Sequence, residues 1–392
     1  MNLTWILKPL VKVAAIKNSP KRIRAYIDGL GIKPADNISK DNTQDIHKES
    51  IRVCAVQEEI RLLKNHRQYT DRMHGFIKEA ADRGAQLVTF PEENGTLILG
   101  MLPFMGTALK LLNRFTGTKK SEDRDKAQRI RPKRIPEKAQ ADAYKEGKAE
   151  KKNQGKARAP LDIAKILAPL SSFLVDVFET TFSELAKAYG VYIMAGSMVL
   201  EDGGKVYNRA YLFGPEGNII GTQDKTHLVE LEMGMGLSMG SNLSVYKTDI
   251  GRLAFPVCMD ATYFETFKIL KDQGAQVVII PIANMEEYNY YFALRGIWPR
   301  VQESGVYGIK PALVGNLFGL KFTGKAGIYA PINMTPEMDG VLGEAGTYNR
   351  DELIICDLDL KAIDEYRDEY FSDENLRFFK RHFPRVYANK EA

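Results

Sequence analysis

Short apolar runs alternate with amphipathic segments along this chain, which is the pattern of an α/β fold. Runs at residues 51–56 and 86–90 predict strands, and residues 65–83 between them repeat apolar positions at helical spacing. Residues 208–213 and 219–223 flank a Pro-Glu-Gly-Asn turn and predict a β-hairpin. The same reading predicts helices at residues 180–189, 264–273 and from 361, and strands at 191–195, 253–257, 276–281, 312–314, 326–330 and 353–357. Hairpins mixed with βα units favour an α/β sandwich over a purely parallel doubly wound sheet.

Charge is spread unevenly along the 392 residues. The net charge is +5, yet residues 114–158 alone hold 16 Lys and Arg against 7 Asp and Glu. This basic stretch has few large apolar residues, so we predict a flexible loop or a solvated helix there. It lacks a pattern of stacking aromatic residues, and nucleic-acid binding is therefore not expected.

The predicted domain organisation has three parts. Residues 1–50 form an N-terminal extension with amphipathic helices, residues 51–375 form the main domain, and residues 376–392 form a C-terminal tail. The main domain contains an insertion at about residues 95–175, which includes the basic stretch.

Two apolar segments, residues 95–112 and 161–178, flank the basic stretch. One interpretation is peripheral contact with an anionic membrane, with residues 1–17 as a third contact element. The other, slightly favoured, is a lid and dimer-contact pair of helices joined by a loop. No stretch reaches the roughly 20 apolar residues that cross a bilayer, and no signal peptide is evident. With only three cysteines, the sequence predicts a cytoplasmic protein, and peripheral contact with the inner face of the membrane is the alternative.

Cys258 directly follows the predicted strand at residues 253–257 and stands just before a predicted helix. Such an elbow exposes a side chain and aims nearby backbone N–H groups at it, but a thiol nucleophile also needs a base or a positive charge. A lone free cysteine is more often a small buried apolar residue. Cys54 and Cys356 are interpreted in that simpler way.

Two charged residues end other predicted strands. Glu92 follows residues 86–90, where partial desolvation raises a carboxylate pKa into the range of a general base. Lys225 follows residues 219–223, where an ammonium group could hold an oxyanion and depress the thiol pKa. The simpler alternatives are a loop carboxylate and a surface lysine. His227 is interpreted as structural.

The segments that end in these residues resemble motifs of the nitrilase or carbon–nitrogen hydrolase superfamily. The likeness is carried by residues 84–92, 224–228 and 250–260, with weaker support from 274–284, 300–303 leading to Asn316, and 324–331. It covers about residues 51–370 without the insertion. The resemblance implies a four-layer α-β-β-α sandwich.

The resemblance also implies roles for individual residues. Glu92 would be the general base, Lys225 would hold the oxyanion, and Cys258 would be the nucleophile. A further glutamate of the family matches Glu232 better than Glu230 by its spacing from the lysine, and the backbone N–H of Met259 would complete the oxyanion hole. No cofactor or metal is expected. A homodimer or a higher homo-oligomer is expected.

The substrate is less well defined by the sequence. The arginine that follows the cysteine in family members acting on N-carbamoyl amino acids is absent, since residues 261–264 are Ala, Thr, Tyr and Phe. Asn284 and Tyr288 are predicted pocket residues, with simple loop packing as the alternative. The predicted function is hydrolysis of a non-peptide amide or nitrile through a thioester. The alternatives are an N-acyltransferase and, less favoured because all three reactive residues are present, a non-catalytic scaffold.

Overall fold

The computed structural model describes residues 3–32, 50–103, 105, 169–317, 319–371 and 376–387. Two sheets lie face to face in this part of the chain, each covered on its outer side by helices, and together they form the predicted four-layer α-β-β-α sandwich. The basic stretch 114–158 lies outside the described residues, so its predicted loop or helix is not tested.

The elements of the described residues are numbered in chain order. The strands are β1 (Ser50–Glu59), β2 (Leu87–Thr89), β3 (Tyr192–Asp202), β4 (Lys205–Phe213), β5 (Ile219–Asp224), β6 (Tyr246–Thr248), β7 (Gly251–Ala254), β8 (Val277–Ile279), β9 (Tyr307–Lys310), β10 (Ala312–Leu317), β11 (Leu320–Phe322), β12 (Gly327–Tyr329), β13 (Val341–Glu344) and β14 (Glu352–Asp359). The helices are α1 (Leu3–Lys17), α2 (Pro20–Gly29), α3 (His66–Asp82), α4 (Ser171–Tyr189), α5 (Glu230–Gly234), α6 (Phe264–Asp272), α7 (Tyr290–Leu294), α8 (Ile297–Ser304), α9 (Leu360–Phe371) and α10 (Leu376–Tyr387).

Both sheets are mixed. The first has the order β11-β10-β1-β2-β3-β4-β5, with β14 running antiparallel along β1. The second has the order β13-β12-β9-β8-β7-β6. Parallel pairs lie at the centre of each sheet, at β1–β2–β3 and at β7–β8–β9, and antiparallel hairpins complete the edges. The predicted mixture of hairpins and βα units is therefore confirmed.

Side-chain alternation along the central strands defines the layers. On β1, Ile51, Val53 and Ala55 pack in the core between the two sheets, while Cys54 and Val56 pack in the core beneath the helices. Successive strand residues point to opposite faces, so a strand buried on both faces consists of continuous apolar residues. The continuous apolar run at residues 53–56 of β1 thus indicates that both faces of the strand are covered there.

Helix α3 has the bounds that its sequence predicts. The Asn65 side chain accepts a hydrogen bond from the backbone N–H of Gln68 at 3.0 Å, and this caps the first turn. Helix α4 is longer than the predicted 180–189 and begins at Ser171. Its extra turns bury Phe173 and Leu174 in the same core, so part of the predicted insertion belongs to the outer helix layer.

Some predicted elements differ from the observed ones. Strand β7 ends at Ala254 instead of residue 257, because Pro256 lacks the N–H that would continue the ladder. The predicted C-terminal tail contains helix α10. The N-terminal residues form α1 and α2, and α2 packs on α3 and α4 through Ile23 and Ile27, which are buried in the main core.

Candidate active site

Three loops that follow strands meet at one end of the sandwich. Glu92 follows β2, Lys225 follows β5, and Cys258 opens a short 3₁₀ turn, Cys258–Thr262, that follows β7. Glu92 and Lys225 come from the first sheet and Cys258 from the second, so the site lies where the two sheets face each other. All three residues line the same cavity.

Lys225 is held between two carboxylates. Its Nζ lies 2.8 Å from Oε1 of Glu92 and 2.8 Å from Oε1 of Glu232. The side chains are nearly inaccessible, with relative exposures of 2% for Lys225, 4% for Glu92 and 10% for Glu232. A buried ammonium group needs opposite charge and hydrogen bonds to remain charged, and here it has both.

Asn208 joins the same network, although the sequence analysis missed it. Its Nδ2 donates to Oε1 of Glu92 at 2.9 Å and to Oε1 of Glu232 at 3.3 Å. The other oxygen of Glu232 accepts from the backbone N–H of Val229 at 2.9 Å. The available signal was a polar residue within β4, between Val206 and Ala210, whose side chains are buried.

Cys258 occupies a sharp elbow. Its φ is 46°, in the left-handed region that residues other than glycine rarely adopt. Its backbone N–H donates to the carbonyl of Pro281 at 3.0 Å, and its Sγ lies 3.8 Å from Oδ1 of Asn284. The strained turn points the thiol into the cavity and away from the strand that precedes it.

The buried carboxylate of Asp260 connects the elbow with the loop after Lys225, and the sequence analysis missed it as well. Asp260 accepts from the backbone N–H of Val257 at 2.9 Å and from that of His227 at 2.7 Å. The Thr226 hydroxyl donates to it at 2.8 Å. The His227 ring lies 3.0 Å from the same carboxylate and stacks on Tyr263, which fits its predicted structural role. An acidic residue in the first turn after an elbow was the available signal.

A close backbone contact positions Glu92. Gly196, with φ 74°, lies at an irregularity of β3 between Met194 and Ser197, and a Cβ atom there would come within 1.9 Å of the Pro91 carbonyl oxygen. Only glycine allows this approach. The neighbouring Glu93 has φ 62°, so the chain turns sharply just after Glu92.

The charges of the site act on one another. Burial raises the pKa of Glu92, with Lys225 opposing and Glu232 adding to the rise. Burial disfavours a charge on Lys225, but the negative groups around it, Glu92 foremost, hold its pKa above the ordinary value. Burial and then the charge of Glu92 raise the pKa of the Cys258 thiol, against a smaller opposing effect of Lys225. Lys225 thus lowers the thiol pKa, as expected, but burial and Glu92 outweigh it and the net shift is upward.

The cavity at this site has a volume of about 710 Å³. Asn284 lines it, as predicted for a pocket residue, and so does Met259. Tyr288 is not among the lining residues, and its ring stacks on that of Tyr348 at 4.9 Å. Residues from both described ends of the predicted insertion, including Leu99 and Leu170, line the cavity, an arrangement that the lid interpretation expects.

The other candidate features of the sequence have plain structural positions. Cys54 is buried in β1 and Cys356 lies in β14, and burial raises the pKa of both thiols, that of Cys356 to about 11. Among the described residues, no group of His, Cys, Asp and Glu is arranged to hold a metal ion. None of the described helices combines the length and apolar character needed to cross a membrane.

Comparison with known proteins agrees with this geometry. Residues 164–368 match the family model described as carbon–nitrogen hydrolase; the match includes Lys225, Glu232 and Cys258 and begins after Glu92. A probable hydrolase of Bacillus subtilis (strain 168) is 32% identical over 192 residues, which are 47% of this chain and 37% of that protein. An omega-amidase of Danio rerio is 34% identical over 107 residues, 25% of this chain and 39% of that protein. The chain thus spans less than two-fifths of the length of either relative.

Solved structures show the same fold. A mutant of the amidase from Nesterenkonia sp. AN1, which carries a covalent acetamide adduct at its active-site cysteine, superposes with a TM-score of 0.56. The alignment covers 87% of this chain and all of that one at 16% identity. At this identity the likeness concerns the fold alone. Because the carbon–nitrogen hydrolase family model matches more than half of this chain, the chain belongs to that family.

Proposed function

We propose that this protein is an amide hydrolase that works through a thioester on Cys258, with Glu92 as general base. The observation that carries the proposal is the buried Lys225 ammonium, held at 2.8 Å from both Glu92 and Glu232 on the wall of the cavity that Cys258 also lines. A fixed cation beside a buried thiol and a carboxylate is suited to stabilise an anion that forms during acyl transfer.

The first half of the reaction forms the thioester. Because the thiol pKa is raised, Cys258 is protonated at rest, and Glu92 accepts its proton as the sulfur attacks the amide carbon. Lys225 and the backbone N–H of Met259 stabilise the resulting oxyanion. Met259 lies in the first turn of Cys258–Thr262, where N–H groups lack partners within the turn. Glu92 then gives the proton to the amine nitrogen, and the C–N bond breaks.

The second half releases the acyl group. Glu92 accepts a proton from water, the hydroxide adds to the thioester carbon, and the C–S bond breaks as a carboxylic acid forms. The thiolate takes the proton back from Glu92. Glu232 and Asn208 touch no reacting atom in this scheme and act by positioning Lys225 and Glu92.

Trapping the acyl-enzyme tests the proposal. Incubation with a simple amide, acid quenching and intact-mass measurement should show an acyl adduct, and peptide mapping should place it on Cys258. Cys258→Ala should show no adduct and no turnover, while Cys356→Ala, a matched change at a cysteine outside the site, should keep both. Full turnover by Cys258→Ala on amides, nitriles and esters would overturn the proposal.

The same trapped adduct distinguishes hydrolysis from acyl transfer. Chasing it with water alone should release the free acid at the rate of turnover. Release only when a primary amine is added, with the acyl group found on that amine, would favour the N-acyltransferase alternative.

Assembly and location remain predictions of the same proposal. A homodimer predicts twice the chain mass of 44.1 kDa by light scattering. Contact with an anionic membrane predicts co-sedimentation with phosphatidylserine vesicles that is lost when residues 114–158 are deleted. Unchanged sedimentation after that deletion would contradict a membrane role for the basic stretch.

A further inference from the structure

The cavity that Cys258 lines is far larger and more apolar than hydrolysis of a small amide requires. We propose that the acyl group of the substrate carries a long hydrocarbon chain, octanoyl or longer, that fills this cavity. This inference rests on the proposed function and names its substrate class. A volume of about 710 Å³ is that of a pocket for a drug-sized ligand, whereas the acyl group of acetamide is a single methyl-bearing carbonyl.

The wall of the cavity is built for apolar contact. Leu99 and Leu102 come from the 3₁₀ helix Asn94–Met101 and the residue after it, and Leu174 comes from α4. Leu317 and Phe322 of the β10–β11 hairpin also line the cavity. More than half of the remaining lining residues are apolar, and apolar surface removed from water stabilises a bound hydrocarbon in proportion to the area buried.

Among the charged lining residues outside the catalytic network, Glu93, Glu286, Arg295 and Lys310 have partners within the protein, and Glu230 is exposed. Glu286 and Arg295 form an ion pair with each other at 2.8 Å. Lys310 is 2% exposed, and its Nζ donates to the carbonyl of Ala293 at 3.2 Å. Burial lowers the pKa of Lys310 to about 8. Apart from these groups and the catalytic network, most of the lining offers apolar contact.

The rim of the cavity carries large apolar side chains. Leu231, Phe292 and Leu320 line the cavity and are 45%, 57% and 43% exposed. Large apolar side chains left in water around a cavity mouth are a feature of surfaces that receive apolar ligands. Glu230, Glu286 and Arg295 also line the cavity and are exposed, so a hydrocarbon chain would contact the apolar side chains of a rim that carries charged groups too.

The reaction indicates that the hydrocarbon chain belongs to the acyl group of the substrate. In the thioester, the amine has already left and the acyl group alone stays attached to Cys258 while water attacks. A hydrocarbon held in the cavity anchors that intermediate, whereas the amine must depart. Binding energy from a remote part of the substrate then acts through the whole reaction.

A series of straight-chain primary amides tests the inference with the full-length protein. From acetamide through butyramide and hexanamide to octanamide, kcat/KM should rise about three- to fourfold per added methylene, which is on the order of a thousandfold across the series. A flat or falling series would overturn the inference. A rise in kcat/KM with N-octylacetamide and none with octanamide would also overturn it, because the hydrocarbon chain would then belong to the amine.

Matched variants locate the effect in the cavity. Leu99→Trp and Leu320→Trp add bulk at partly exposed lining positions and should lower the octanamide-to-acetamide ratio of kcat/KM at least tenfold. Ile269→Trp adds the same bulk at a 44% exposed position on α6 that does not line the cavity, and should leave the ratio unchanged. Melting curves establish that each variant is folded, and an unchanged ratio in both folded lining variants would contradict the inference.

Binding separates this inference from the proposed function. Calorimetry with Cys258→Ala should show octanamide binding at least tenfold more tightly than acetamide. Such binding without turnover of any amide by the native protein would refute the proposed function and keep the inference. Turnover of acetamide and octanamide with equal kcat/KM, and equal binding, would refute the inference and keep the function.

Discussion

Lys225 shows how the chemistry of the site depends on single residues. It is a buried cation between two carboxylates: Glu92 and Glu232 both raise the pKa of Lys225, and Glu232 also raises the pKa of Glu92. Glu92 is the one that also acts on the thiol, both through its charge and as a hydrogen-bond partner. Glu232 instead reaches the Val229 backbone with its second oxygen. In the proposed mechanism the two carboxylates therefore have different roles: Glu92 transfers the proton and Glu232 positions Lys225.

Glu232→Gln should separate these roles. The charge of Glu232 raises the pKa of Glu92, so its removal should lower that pKa. Activity requires the Glu92 carboxylate, and the acid limb of the kcat/KM profile should therefore move to lower pH. We also expect kcat to fall roughly tenfold to hundredfold, because Lys225 loses one of the groups that hold it. Initial rates between pH 4 and pH 9 measure both effects.

Glu230→Gln is the control for this prediction. Glu230 lies on the same short helix but is exposed, so its variant should keep the native pH profile. An acid limb of Glu232→Gln that coincides with the native one, or moves to higher pH, would contradict the electrostatic role. The limb reports the coupled group of charges, so it is read as an apparent pKa of the site.

At the scale of elements, the site depends on two turns that only the fold brings together. The loop after β5 carries Lys225, and the 3₁₀ turn after β7 carries Cys258. Asp260 accepts backbone hydrogen bonds from His227 in the first and Val257 in the second. Because these turns belong to different sheets, this buried carboxylate joins the sheets at the reactive end.

Asp260→Asn should therefore impair both stability and activity. An amide presents an NH₂ group to N–H donors in place of one oxygen, which leaves buried donors unpaired and should cost about 1–3 kcal/mol in the free energy of unfolding. We expect kcat to fall roughly tenfold or more, with a smaller change in KM, because the thiol and the lysine lose their alignment. Urea unfolding and steady-state kinetics with one amide measure the two effects.

His227→Ala is the matched change for this turn. The ring contacts the same carboxylate, but its side chain is 36% exposed and Asp260 keeps its backbone donors without it. Its effect on kcat should be several times smaller than that of Asp260→Asn. Loss of all activity in His227→Ala with normal stability would assign the proton transfer to the histidine and contradict the role given to Glu92.

At the scale of the whole molecule, the N-terminal helices share the main core. Ile23 and Ile27 of α2 are buried with residues of α3 and α4, and Val11 and Ala14 of α1 join the same cluster. The predicted extension at residues 1–50 thus contains packed helices over its described part. Helix α1 also leaves Val13 and Ile16 exposed, so it presents one packed face and one face to water.

Ile23→Ala should therefore destabilise the whole domain. Ile23 is fully buried, and a large-to-small change at such a position costs about 2–5 kcal/mol in the free energy of unfolding. Ile16→Ala removes the same atoms at a 59% exposed position and should change it by about 0.5 kcal/mol or less. Equal midpoints of chemical unfolding for the two variants would show that α2 unfolds separately from the rest of the chain.

Local patterns predicted the central elements well. The bounds of α3 follow from its capping residue and its helical spacing, and the doubly buried strand β1 follows from its apolar run. Errors occurred where the decisive contact was distant in sequence. Helix α4 begins earlier than predicted because its first turns pack on the main core, and residues 376–392, predicted as a tail, contain α10.

The sequence by itself predicted Glu92, Lys225 and Cys258 as the reactive residues, because each follows a strand within a recognisable motif, and the structure places all three on one cavity. The tertiary structure alone decided what surrounds them. Asn208 and Asp260 become part of the site only when strands from distant segments pair, so neither had a local signal strong enough to select it. The raised thiol pKa and the apolar cavity of about 710 Å³ likewise depend on burial by many segments at once, which no local pattern encodes.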